Sequence, residues 1–135
     1  MADCYSNYLR DLISSHLHGK TTFTAPATTY FALMTVAPTA AGGGTEASGG
    51  TYARVAVTNN TTNWPASSGQ TQSNGVAIDF GTATSNLGTI VAIAEYDASS
   101  AGNLLTFAAL TTSVAINTGQ PFQIPIGGAV FNWAA

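Results

Sequence analysis

The chain has 135 residues, 45% of them hydrophobic and only 7% charged, with a formal net charge of −3. Its three basic residues, Arg10, Lys20 and Arg54, cannot supply the clustered cations by which a nucleic-acid surface displaces counterions, so that partner class is excluded. High apolar content with few charges is the reverse of a disordered composition, no window holds the ~18 consecutive apolar residues of a membrane span, and the length fits a single domain, 1–135.

The N-terminus opens with Asp3 and has neither the basic region nor the apolar run of a secretory signal, which predicts a reducing compartment at least during synthesis, in the cytoplasm. Cys4 is the only cysteine and cannot close an intrachain disulfide. Residues 3–18 carry one apolar stripe, Tyr5, Tyr8, Leu9, Leu12, Ile13, His16 and Leu17, at the i, i+3, i+4, i+7 spacing of an amphipathic helix. Asp3 stands at the expected N-cap and Gly19 at the left-handed position that ends such a helix. A helix this short needs a surface to pack on, either its own domain or a neighbour.

Beyond Pro26 the period changes from helical to alternating. Strand candidates are 29–37, 52–58, 74–80, 88–96, 103–109, 112–117, 120–126 and 128–134, separated by turn signals at Gly69, 81–86, 97–103 and 117–119. No crossover helices lie between them, which excludes a parallel α/β fold. The expected fold is mainly β: an antiparallel sandwich over 29–134, jelly-roll-like, of about seven or eight short strands behind one N-terminal helix.

Within it, the stretch 29–58 reads as strand, glycine-rich loop, strand. The linker holds Gly42, Gly43, Gly44, Gly49 and Gly50 and a single charge, Glu46, which is the nearest carboxylate in sequence to Arg54 and its expected partner. This loop is expected to be pliable. A second long loop, 59–72, contains Trp64 among Ser, Thr and Asn; such a ring either plugs its own core or anchors an interface.

Reactive constellations are scarce. His16 and His18 are two apart on a helix and point to different sides, so they do not chelate one metal. Asp79, Glu95 and Asp97 could bind calcium or act as a glycosidase pair only by converging in space; the plainer reading is solvent-facing strand and turn residues. No serine stands in a G-x-S-x-G context, and Gly42–Gly44 lacks the Lys-Ser/Thr of a phosphate loop. Asn59 and Asn60 match glycosylation sequons by chance in a Thr-rich loop. The expectation is no enzyme, no cofactor and no metal.

Read together, Y-x-A-L at 30–33, A-P-T at 37–39, G-G-x-Y-A-R at 49–54, A-T near 83, G-T-I-V at 88–91 and G-N-L-L at 102–105 make residues 5 to 131 resemble a family of small tailed-bacteriophage virion proteins. Its members are often labelled phage tail fibre proteins, and similar small β proteins serve as capsid decoration or cement proteins. The resemblance implies a virion structural role. The leading expectation is a cement protein on the capsid surface, binding the major capsid protein and copies of itself as a dimer or trimer, because the short chain lacks a repetitive shaft and carries little charge. The alternative is a tail-fibre or receptor-binding protein contacting host surface glycan, with Trp64 and Tyr52 as stacking rings. Contact residues are expected on the helix and loops: Tyr5, Tyr8, Leu9, Leu12, Gly43, Glu46, Tyr52, Arg54 and Trp64.

Overall fold

The computed structural model describes residues 5–132. Helix α1 spans Asn7–Leu17, shorter than the 3–18 expected. Asp3 and Cys4 lie outside the described residues, and Ser6 is the N-cap: its backbone is extended (φ −68°, ψ 158°) and its hydroxyl accepts the Leu9 N–H at 3.1 Å. Gly19, at φ +69°, turns the chain off the helix and donates to His16 O.

The helix start is fastened to its own sheet. Ser6 N–H donates to Leu105 O at 2.9 Å, the Ser6 hydroxyl donates to Leu104 O, and Asn7 N–H donates to Ala40 O at 2.7 Å. Leu9 is buried and Ile13 packs against the same core, whereas Tyr8 is 41% and Leu17 77% exposed. The apolar stripe is thus only partly spent on this domain.

Nine strands follow among the described residues: β1 (Thr28–Val36), β2 (Thr45–Glu46), β3 (Val55–Thr58), β4 (Thr71–Ser73), β5 (Ile78–Thr82), β6 (Gly88–Tyr96), β7 (Leu104–Ile116), β8 (Pro121–Ile124) and β9 (Val130–Asn132). Every pairing is antiparallel. β1, β6 and β7 are consecutive in a five-stranded sheet, and β2 and β3 share the outer edge of β1. β4–β9 and β5–β8 form two two-stranded pieces, giving the mainly β, sandwich-like architecture expected.

Four expectations are corrected. The candidates 103–109 and 112–117 are one strand, because Leu110 to Ser113 holds no Gly, Pro or Asn to turn the chain. The break appears instead as an irregularity in pairing: Ala92 faces Ala109, but Ile90 faces Val114. The candidate 52–58 begins only at Val55, and 74–80 begins only at Ile78, since Asn74 and Gly75 are tied into loop bonds. Strands β2 and β4, two and three residues long, carry no alternation to read.

β1 is buried continuously from Phe31 to Met34, so both faces of the main sheet are covered at its centre. On one face Phe31, Leu33, Ile90, Leu105 and Ile116 meet Ile78, Ile124 and Phe131 of the small pieces. The other face carries Ala32, Met34, Ala92, Ala94 and Leu104, flanked by half-buried Val91, Tyr96 and Phe107.

Candidate functional site

Two polar arrangements stand out, one at the β1 edge of the main sheet and one on its core face. The first closes the gap between β2 and β3. The chain leaves β1 at residue 47 and rejoins it at 55, so the β1 edge loses its ladder at Leu33. Ala47 N–H donates to Leu33 O at 2.8 Å, and the Leu33 N–H donates to the Tyr52 hydroxyl at 2.9 Å. That hydroxyl donates in turn to Glu46 Oε1 at 3.0 Å. A side chain thereby replaces a missing strand. Burial pushes the Tyr52 hydroxyl above its ordinary pKa, with Glu46 adding to the effect.

Arg54 completes this arrangement. Nε and Nη2 grip Glu46 in a fork, with Nη2 to Oε2 at 2.8 Å, and Nη1 donates to Ala98 O at 2.9 Å and Ala101 O at 2.8 Å. Its guanidinium lies 3.8 Å above the centre of the Tyr96 ring. Burial alone lowers the Arg54 pKa, but the bonds and charge of Glu46 outweigh it and hold the value above the ordinary one. The receiving turn is itself fixed, Asp97 accepting from Asn103 N–H at 2.7 Å and from the Asn103 amide at 2.8 Å. One cation therefore locks the glycine-rich loop to the β6–β7 turn.

This corrects the expected pliability of that loop. Thr39 and Gly42 exchange two backbone bonds, and Thr51 N–H donates to Thr84 Oγ1 at 2.8 Å. At Gly44, φ is +82° and a Cβ would lie 2.7 Å from Val36 O, so the glycine permits close backbone approach. Gly43 sits exposed at the loop's tip with open space around it.

The second arrangement surrounds Glu95, which register places directly between Phe31 of β1 and Thr106 of β7, on the core face. Its carboxyl is therefore buried, correcting the expectation of a solvent-facing strand residue. Oε2 accepts the Thr106 hydroxyl at 2.7 Å. Burial raises the Glu95 pKa, opposed by the hydroxyls of Thr106 and Thr29.

Beside this carboxyl lies an open cleft of about 170 Å³ lined by Tyr5, Asn59, Trp64, Gln72, Glu95, Thr106 and Phe131. Asn60 builds the turn that presents Trp64: its Oδ1 accepts from Thr62 N–H and Asn63 N–H, and its backbone O accepts from Trp64 N–H. The Trp64 ring stacks on Phe31 and tilts against Phe131, both at 5.9 Å between centres, so it packs against its own core. Tyr52 stacks on Phe80 with its centre 6.5 Å away.

The other contact candidates divide by burial. Tyr5 and Leu9 are buried, Leu12, Glu46, Tyr52, Arg54 and Trp64 half-buried, and Tyr8 and Gly43 exposed. Asp79 accepts from Gly81 N–H at 2.8 Å and Asp97 serves its own turn; no group of three or more metal-ligating side chains exists among the described residues. His16 Nδ1 accepts the Phe23 N–H at 3.1 Å and closes the turn after α1. Sequence reasoning missed the Glu95 cleft; the one available signal was a lone carboxylate inside the run Gly88–Tyr96, whose other positions are otherwise uncharged.

Residues 4–132 match the model of the family described as Podophage GP4 fiber I protein gp80, and the chain belongs to that family. It is therefore a tailed-phage virion protein of structural type, the family that the sequence motifs resembled. No curated protein matches the chain.

Proposed function

From membership of this fibre-protein family, we propose that the chain is a non-enzymatic globular module of the phage's tail-fibre apparatus. The observation that carries the reading is the match over residues 4–132, which takes in α1 and all nine strands and leaves no described element to a different role. The internal bracing fits the same reading. Arg54 and Tyr52 spend their polar groups on fixing a loop, which gives a rigid block with defined faces. The Trp64 and Tyr52 rings are committed to internal stacks, so the reading does not use them as open platforms for sugar.

Immunogold labelling of purified particles together with quantitative mass spectrometry tests it. Label at the tail and a copy number far below that of the major capsid protein are the expected results. A second reading, the capsid cement protein, is favoured by the 7% charge content and by the exposed apolar residues Leu17, Val36, Ile126 and Val130, which suit a surface covered in an assembly. Label over the whole shell at a copy number near that of the capsid protein would establish cement and refute the fibre module.

A further inference from the structure

The cleft beside Glu95 holds a combination that the fold itself does not use. Among the described residues Glu95 is a buried carboxyl with no cation on it: the ion pair described above takes Arg54 to Glu46, and Glu95 is hydrogen-bonded by the neutral hydroxyl of Thr106. A carboxyl in that position is costly unless something compensates it.

The other polar groups of the wall offer mainly acceptors. Asn59 donates one amide N–H to Pro26 O at 2.7 Å, and Gln72 donates both of its own, to Pro65 O at 2.6 Å and Ser73 O at 3.2 Å. Bonds to backbone carbonyls fix the orientation of both amides: Gln72 has both N–H groups engaged and offers its oxygen, while Asn59 offers its oxygen beside one remaining N–H. The Thr106 hydroxyl has given its proton to Glu95. The two other donor groups of the lining, the Tyr5 hydroxyl and the Trp64 indole N–H, are both buried away from solvent. What remains is an acceptor-rich recess with a carboxyl at its base and Trp64 and Phe131 in its walls. Such a recess rejects anions and suits a donor that is cationic on an apolar stem.

We propose that this cleft receives the ammonium of a lysine side chain from a neighbouring protein chain of the virion. Lysine is the donor that fits, because its apolar four-carbon stem ends in a compact ammonium whose three N–H groups can be shared among separate oxygens of the recess. The aromatic walls cover the four-carbon stem, and the carboxyl and amide oxygens receive the three N–H donors. That the donor belongs to a virion protein rests on the structural reading above; the selectivity for a cation does not.

The test titrates n-butylammonium chloride, equivalent to a lysine side chain without its backbone, into the full chain. The reporter is the Trp64 indole N–H in 1H–15N spectra, identified by its loss in Trp64→Phe. A saturable millimolar shift is expected, weakened at least about fivefold in Glu95→Gln and at least about fivefold for the neutral isostere n-butanol. Equal binding of butanol and butylammonium, equal binding by the Glu95→Gln chain, or no shift overturns the proposal. If Glu95→Gln fails to fold, the butanol comparison on the unaltered chain decides alone. Two further arms address the source. A shift with Nα-acetyl-lysine methylamide and none with phosphatidylethanolamine vesicles supports a protein donor, and the opposite pair of results overturns it. A failure here leaves particle labelling unaffected, so the two readings fail separately.

Discussion

Replacing Arg54 by alanine removes five hydrogen bonds at once, three to Glu46 and one each to Ala98 O and Ala101 O, together with the stacking on Tyr96. Removing one partner of a buried pair costs about 3–5 kcal/mol, because the other charge is left desolvated. The Arg54 side chain is 7% exposed, but Glu46 is 28% exposed and can recover some water, which brings the expected loss to about 2–4 kcal/mol. For a domain of this size that corresponds to a fall in Tm of about 8–15 °C. Glu46→Gln keeps an acceptor for both Tyr52 and Arg54 and should cost less, about 1–2 kcal/mol. Arg54→Lys keeps the charge but cannot span Glu46 and two carbonyls, so it should fall between the two. Circular-dichroism melts at pH 7 give the stabilities, and amide exchange over residues 37–54 and 97–103 shows whether both segments loosen together. A Tm within about 2 °C of the parent, or faster exchange in only one segment, would refute the idea that one cation locks the loop to the turn.

The remaining predictions concern single positions. The folded pKa of Glu95 is raised, so the native state holds its proton more tightly than the unfolded chain; stability is highest below the unfolded carboxylate value of about 4.3 and falls as pH rises through the folded value. Glu95→Gln should therefore match the parent near pH 4 and melt higher at pH 8, and parallel Tm-versus-pH curves would count against it. Ser6→Ala loses both the cap on α1 and the bond to Leu104 O, and chemical denaturation should show a loss of about 1–3 kcal/mol. Leu9→Ala should cost about 2–4 kcal/mol, because Leu9 is buried, and half-buried Leu12→Ala distinctly less; equal losses would mean that α1 packs differently. Gly44→Ala would place a methyl against Val36 O at positive φ, and a melt unchanged within 1 °C would rule out the tight loop described here.

How far the fold was legible depended on whether a segment's own residues settled its state. β1 and β6 were legible almost to the residue, since Tyr30 to Val36 and Gly88 to Tyr96 are long apolar runs bounded by turn residues. The C-terminus of α1 was legible because Gly19 has a backbone role that few residues can fill. Its start was not, because two capping residues, Asp3 and Ser6, stand in succession. What selects Ser6 is a bond to Leu104, 98 residues away. The same holds for β2, where Thr45 and Glu46 become a strand only because β1 offers Met34 and Val36 as partners.

Polar groups followed the same division. The Glu46–Arg54 pairing was legible because charges are so few that Glu46 is the one carboxylate near Arg54 in sequence. The two carbonyls that Arg54 also binds, at Ala98 and Ala101, lie in a turn that sequence places nowhere near it. Glu95 shows the sharper failure. By alternation it looks outward, because its even-numbered neighbours Ala92 and Ala94 are apolar. The main sheet is covered on both faces at its centre, however, so alternation there separates two buried faces and does not separate core from solvent. Small alanines fill one face, and the large residues Phe31, Leu33 and Ile93 fill the other, in line with Glu95. A carboxyl on the bulkier face must stay buried and be answered by hydroxyls or by a cation from outside. That is why a residue read as plain surface became the basis of the cleft.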